Sequence, residues 1–273
     1  MKNAEIVYIR PELKERDFPV KFHRVERKNA RTQAITSFIE FQWQNMLTRS
    51  ADNGTLMFNG KLINMADFRI DPVAGLEIGY DITDYKTYVG TRNSEFLLKF
   101  PDEEAITPIA ICVAIITGDN RIIIEMRNGV DVDDGKFHVL GGYMDPDKDV
   151  TGTGSPDPVI TACREVREET GISLEPGKLF FLGVVKDKII PHYEFQYLTR
   201  ITAPFSTVID GMRKAKTDGE VSELEFVDAT PESLRNFIQS NQGKISATGE
   251  SCLLVTGRNL FGIDWYEEML KTY

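Results

Sequence analysis

The chain has 273 residues, with 42 Asp and Glu against 32 Lys and Arg and a net charge of −10, which argues against nucleic acid as a main partner because phosphate binding at scale needs a basic surface. Hydrophobic residues make up 41% and charged residues 27%, the balance of a soluble globular protein with apolar material for a substantial core. Three cysteines, Cys112, Cys163 and Cys252, form no paired-ligand spacing and no disulfide framework, which fits a reducing cytoplasm. Cys112 and Cys163 stand in apolar patterns that predict buried thiols. The longest apolar run, residues 109–116, is too short to span a bilayer, and residues 1–5 lack a signal peptide's apolar core.

From the N-terminus, residues 6–9 alternate like a strand and stop at Pro11. Residues 29–49 predict an amphipathic helix whose stripe is Ile35, Phe38, Ile39, Gln42, Met46 and Leu47. Residues 56–63 predict a hairpin turning at Asn59-Gly60. Leu76, Ile78, Tyr80 and Ile82 alternate as another strand. Residues 84–93 are polar and aromatic together, with no packing period. They read either as a short surface helix and turn, or as a substrate loop. In the second reading Tyr85 stacks on a base while Arg92 and Asn93 contact phosphate or sugar hydroxyls. Residues 99–105 read as a linker. Two units are therefore expected: a smaller α+β region at 1–104 and a second region at 105–273.

In the second region, residues 109–116 predict a strand buried on both faces, 118–120 a turn and 121–127 its partner strand. Residues 135–140 lead into Gly141-Gly142. Residues 143–157, rich in Asp, Gly and Pro, predict turns. Asp157 and Pro158 then open a helix as side-chain cap and N1 proline, and Gly171 is placed to end it in a left-handed conformation. Strands follow at 179–185, 193–201 and 223–227. Helices at 231–240, 250–261 and 264–270 close the core with Trp265.

The chemistry concentrates on the helix after Asp157. Glu165, Glu168 and Glu169 are three and four apart and project from one side, with Ile160, Cys163, Val166 and Thr170 opposite. Like charges at this spacing repel. A hard divalent cation such as Mg²⁺ or Mn²⁺ would resolve that conflict, because it takes carboxylate oxygens. The plainer reading is a solvated acidic face partly neutralised by Arg164 and Arg167.

The order Arg164, Glu165, Val166, Glu168, Glu169, Gly171, Ile172 resembles the second half of the Nudix box, the signature of hydrolases that cleave nucleoside diphosphates linked to another group. The first half departs from it: the family pattern puts Glu and Gly where this chain has Pro156 and Val150. Residues 137–142 resemble the strand and Gly-Gly that open the box, so an insertion between the halves is expected at 143–157. Asp145, Asp147, Asp149 and Asp157 are its candidates to replace the lost carboxylate. The resemblance implies a Nudix α/β/α sandwich with a mixed sheet, preceded by the smaller N-terminal domain. It implies Mg²⁺ or Mn²⁺ held by Glu165 and Glu169, with Glu168 as ligand or base, and Arg164 orienting Glu168. It also implies close backbone approach at Gly142, and a further carboxylate in the loop before residue 223, for which Glu220 is the first choice. Such domains are often homodimers.

Gly79, Thr83, Tyr85, Gly90, Thr91 and Asn93, with Arg92 set between the last two, resemble a pattern in Nudix proteins that hydrolyse UDP-glucose and UDP-galactose. The implied partner is a small nucleoside diphosphate derivative. ADP-ribose, CoA, dinucleoside polyphosphates and UDP-sugars all stay open, as does a nucleotide-binding module without catalysis. His192, His138 and His23 lack partner spacing and read as packed or surface residues.

Overall fold

The computed structural model describes residues 3–10, 18–26, 31–53, 57–71, 75–129, 131–214 and 221–272. In chain order the elements are β1 (Ala4–Ile9), β2 (Val20–Arg24), α1 (Gln33–Asn53), β3 (Lys61–Asp71), β4 (Gly75–Asp84), α2 (Tyr85–Thr91) and α3 (Ser94–Lys99). Next come β5 (Ile109–Ile116), β6 (Arg121–Arg127), β7 (Phe137–His138), β8 (Leu140–Tyr143), α4 (Pro158–Thr170), β9 (Phe180–Asp187) and β10 (His192–Arg200). The chain ends with α5 (Phe205–Lys214), β11 (Val221–Asp228), α6 (Pro231–Ser240), α7 (Ala247–Phe261) and α8 (Ile263–Leu270).

The strands form an eight-stranded sheet in the order β1-β9-β10-β5-β6-β11, with β7 beside β6 and β8 beside β5. The sheet is mixed: β10 runs parallel to β5 and the other pairs are antiparallel. Strand β5 explains its own unbroken apolar sequence. Ile109, Ile111, Val113 and Ile115 enter one core, shared with Ala162 and Val166 of α4 and Phe205 and Val208 of α5. Cys112, Ala114 and Ile116 enter the other, shared with Leu234 of α6, Leu253 of α7 and Trp265 of α8. A strand covered on both faces has no polar side to show. The architecture is an α/β/α sandwich about a mixed sheet.

A second, three-stranded sheet, β2-β4-β3, lies against the first core. Its Ile63, Met65, Leu76, Ile78 and Tyr80 share that core with Ile111 and Phe195. Strand β1 pairs with β9 inside the large sheet, and Arg258 donates to the Arg10 carbonyl at 3.0 Å. Residues 1–104 thus contribute one strand to the large sheet, a small sheet on its face and the α1–α3 group. Within that group Phe38 and Phe96 pack together.

Several local expectations are corrected. The hairpin expected at 56–63 does not form: Leu56 lies outside the described residues, and residues 57–60 carry no strand. Asn59 Oδ1 instead accepts from the Lys86 amide at 2.7 Å and the Gly60 carbonyl from the Tyr85 amide at 2.8 Å, so the pair anchors the start of α2. The hairpin of this region is β3–β4. Lys99 ends a helix, so the linker begins after it. Helix α5 was not expected, although Phe205, Val208, Ile209 and Met212 have the helical period and all pack on the core. Among the described residues no helix is long and apolar enough to cross a membrane.

Because β1 and the small sheet are built into the same core, a fragment holding only residues 105–273 is expected to lose cooperative unfolding and to bind a hydrophobic dye, whereas the full chain melts in one transition. A fragment that melts like the full chain would contradict shared-core packing. Phe195→Ala, at a fully buried ring, is expected to cost about 3–5 kcal/mol in urea unfolding.

Candidate active site

Helix α4 begins and ends as its sequence predicts. Asp157 Oδ1 accepts from the Val159 amide at 2.9 Å, Pro158 fills the first turn, and Gly171 closes the helix at φ 72°. The buried face is rotated from the expected one. Thr161, Ala162, Val166 and Thr170 are buried, whereas Ile160 and Cys163 sit half-exposed at its edge. Thr161 and Ala162 are small enough to let the helix lie close on β8 and β5. Of the two thiols expected to be buried, Cys112 is, and Cys163 is only partly so.

The three glutamates do not share one solvent face. The side chain of Glu168 is 44% exposed, that of Glu165 is 15% exposed, and Glu169 is buried. Neighbouring positions on a helix are about 100° apart, so Glu168 and Glu169 diverge. Glu165 lies against β8, where a Cβ on Gly142 would stand 2.5 Å from Glu165 Oε1. A larger residue there would push the carboxylate out of this position.

Arg164 ties the region together. Its Nε and Nη2 fork onto Asp149 Oδ1 and Oδ2 at 2.8 and 2.7 Å. Its Nη1 is ion-paired with Glu165 Oε1 at 2.8 Å and donates to Glu168 Oε2 at 2.9 Å, and Nη2 also reaches the Tyr143 carbonyl at 3.2 Å. The expected pairing of Arg164 with Glu168 is present, and the same guanidinium serves three further acceptors.

The insertion is a compact loop that carries Asp149 to this arginine. Val150 bridges Pro156, the Thr151 amide donates to the Ser155 carbonyl at 2.8 Å, and the Asp157 amide donates to the Asp149 carbonyl at 2.9 Å. Asp149 is fully buried, and its Oδ2 also accepts from the Asp145 amide at 2.8 Å. Of the four carboxylates expected to replace the lost glutamate, Asp149 is the one on Arg164. Asp147 pairs with Lys61 at 2.8 Å on the surface, Asp145 holds the Asp147 amide, and Asp157 caps α4.

Burial pushes the Glu165 carboxyl up, Arg164 pulls it down, and the like charges of Glu168 and Asp149 push it up again, to about 8. A hard cation would add countercharge beside this crowded carboxylate. The donors here are carboxylate oxygens, and Glu165 and Glu168 already converge on one nitrogen of Arg164, so the residues fit Mg²⁺ or Mn²⁺ in donor chemistry. Among the described residues no group of three His, Cys, Asp or Glu side chains is arranged as a metal site. A cation at Glu165 and Glu168 would compete with Arg164 for these carboxylates.

The other expected site residues have protein partners. Tyr85 is partly buried beside Asp131, donating from its hydroxyl at 2.6 Å, and Arg92 pairs with the same carboxylate. Asn93 caps α3 by accepting from the Glu95 amide at 2.9 Å and donates to Gln42 at 3.1 Å. Glu220 lies outside the described residues. His192 and His138 are buried around Glu194, at 3.3 and 3.5 Å. Burial opposes ionisation of Glu194, but the two imidazoles outweigh it and hold the carboxyl well below the usual carboxylate range. His23 is exposed, 3.9 Å from Asp67. No sequence pattern marks Asp131 as a site residue. The one signal for Tyr143 is that it directly follows the Gly-Gly pair.

The Glu165 carboxyl binds its proton more tightly folded than at its ordinary value of 4.5. The folded state then holds a proton that the unfolded state has released between about pH 4.5 and 8, so stability falls as pH rises through that window. Glu165→Gln is expected to flatten this slope in melting curves taken without divalent cations; an unchanged slope would contradict it. Asp149→Ala leaves Arg164 without its forked partner and is expected to cost about 3–5 kcal/mol in urea unfolding.

No curated protein matches the chain. Solved structures do. One is a bifunctional NMN adenylyltransferase/ADP ribose pyrophosphatase from Francisella tularensis complexed with AMP and a manganese ion, at 11% identity over 59% of this chain, with a TM-score of 0.38. This chain covers 43% of that protein, less than half its length. Another is the NUDIX domain of Shewanella oneidensis NrtR complexed with ADP ribose, at 12% identity over 62% of this chain and 99% of that one, with a TM-score of 0.40. A third is the MutT protein of Methanosarcina mazei Go1, at 16% identity over 60% and 93%, with a TM-score of 0.38. The family model described as NUDIX domain matches residues 106–246, more than half of the chain and all of its acidic helix, and the chain belongs to the NUDIX family.

Proposed function

We propose that this protein hydrolyses the diphosphate bridge of a nucleoside diphosphate joined to a second group, with a UDP-sugar as the substrate. The observation that carries the reaction class is the Arg164–Glu169 run on α4, with Glu165 set against Gly142. The choice of a UDP-sugar rests on the likeness of the residue pattern from Gly79 to Asn93 to Nudix proteins that hydrolyse UDP-sugars, and not on contacts made by those side chains. In the reaction, water adds to one phosphorus, the bridging P–O bond breaks, and UDP-glucose gives UMP and glucose 1-phosphate, with the water's protons going to solvent and base.

Glu165, Glu169 and Glu168 are the residues that would hold Mg²⁺ or Mn²⁺. When bound, such an ion lowers the pKa of a coordinated water and neutralises charge on phosphate oxygens. Arg164 fixes the direction of Glu165 and Glu168 through its fork on Asp149. Glu168, the most exposed of the three, is the proposed base that takes the proton of the attacking water. Glu220 is the alternative base. Gly142 allows the strand and Glu165 to approach closely. Tyr85, Arg92 and Asn93, all with protein partners, support the frame in this reading instead of touching substrate.

A second reading is a NUDIX-fold nucleotide-binding module without catalysis. It is favoured by the engagement of Glu165 and Glu168 with Arg164.

UDP-glucose, UDP-galactose and ADP-ribose, each with and without Mg²⁺ in a phosphatase-coupled assay, separate the readings. Mg²⁺-dependent phosphate release, greatest with a UDP-sugar, is expected. Glu165→Gln and Glu169→Gln are each expected to lower turnover on the order of 10²- to 10³-fold with the fold intact by circular dichroism. Release from no substrate, alongside saturable nucleotide binding, would favour the second reading.

A further inference from the structure

We infer that Tyr143 is a positioning residue, clamped from its side-chain end by Arg92, Tyr85 and Tyr88 so that its strand, β8, holds Arg164 and Glu165 in place. The inference rests on the proposed hydrolysis for its link to turnover, but the clamp itself is a matter of geometry.

Strand β8 carries two contacts to the acidic helix. Gly142 gives Glu165 its space, and the Tyr143 carbonyl accepts from Arg164 Nη2 at 3.2 Å. The strand is only four residues long, and among the described residues it pairs with β5. So short a ladder, although it lies inside the sheet, gains from side-chain contacts that hold its end. Leu140 and Met144 anchor the strand in the core, and the Tyr143 side chain adds a third hold, packed among residues from elsewhere in the chain. Its hydroxyl donates to the Tyr88 hydroxyl at 3.3 Å. Its ring meets those of Tyr88, Tyr85 and His192 edge-on, with centroids 5.8, 6.3 and 6.0 Å away.

Arg92 fastens this group. Its guanidinium lies over the Tyr88 ring, 4.7 Å from the centroid, and within 6.0 Å of the Tyr85 ring. It is ion-paired to Asp131, which also accepts the Tyr85 hydroxyl at 2.6 Å. The Arg92 and Asp131 side chains are each only 12% exposed. Desolvation strengthens both the cation–aromatic attraction and the ion pair. Asp131 follows β6 in the sequence, whereas Tyr85, Tyr88 and Arg92 belong to α2 and its end. The clamp therefore joins the residue 1–104 region to the strand beside the acidic helix. Arg92 acts on the site through Tyr143, at one remove from the reacting atoms.

The test uses the full chain. The double variant Arg92→Gln/Asp131→Asn removes both charges together, so no buried ion is left alone. Hydrogen exchange is read at the amides of residues 141–144, and steady-state kinetics are measured with UDP-glucose and Mg²⁺. Exchange at these amides is expected to quicken by about tenfold or more relative to β5 amides. The kcat is expected to fall roughly 10- to 100-fold, with KM moving less than about threefold. Restoring the charges with Arg92→Lys and native Asp131 is expected to recover part of the kcat. If the double variant does not fold, Tyr143→Leu is read in the same way. Unchanged exchange in β8 would overturn the clamp. So would a rise in KM at constant kcat, which would put Arg92 on the substrate. If the wild-type chain hydrolyses none of the nucleotides, the proposed function fails, and β8 exchange alone decides the clamp.

Discussion

The guanidinium of Arg164 is the contact on which the acidic site depends. It holds Asp149 by two bonds, Glu165 and Glu168 by one nitrogen, and the Tyr143 carbonyl by another. Three carboxylates brought within bonding distance of one cation would repel without it. The fork to Asp149 is the fixed end, because that carboxylate is fully buried and belongs to a loop closed by its own backbone bonds. The bonds to Glu165 and Glu168 are the exchangeable end: Glu168 faces solvent, and Glu165 is crowded enough to favour its proton. A divalent ion held by these carboxylates would compete with one nitrogen of one arginine, while Asp149 would still anchor the guanidinium.

The rest of the fold serves to place that arginine and its strand. Strand β5 is buried on both faces and gives β8 its register, so Gly142 lies opposite Ile111. Helix α4 packs through Ala162 and Val166 onto the same core, which orients Arg164 and Glu165 toward β8. The three-stranded sheet and α2 then press on the far end of β8 through Tyr143. The N-terminal residues are part of this frame, since β1 and the small sheet share one core with the strands that follow.

The elements with a single strong period were legible. Strands β5 and β6 and helix α6 fall where the periodicity put them, because a run buried on both sides, a Gly-Asp-Asn turn and a Thr-Pro cap each have one local cause. The ends of α4 were legible for the same reason. The outcome of the Asn59-Gly60 pair was not, because the Asn59 side chain and the Gly60 carbonyl each accept from an amide of α2, a long-range tie that no local turn pattern signals. The exposures of Glu165, Glu168 and Glu169 were also hidden, since they follow from the rotation of α4 that Thr161 and Ala162 permit. Asp149 stood among four acidic residues of the insertion, and only the folded loop distinguishes it. The partners of Tyr85 and Arg92 were out of reach, because Asp131 and Tyr143 are distant in sequence and carry no spacing signal.

The exchange of Arg164 for a cation at Glu165 and Glu168 is the central claim, and a crystal soaked in Mn²⁺ tests it most directly. The prediction is anomalous density beside Glu165 and Glu168, with Arg164 Nη1 released from both and its fork on Asp149 kept. No density there, with Arg164 still bonded to both carboxylates, would contradict it.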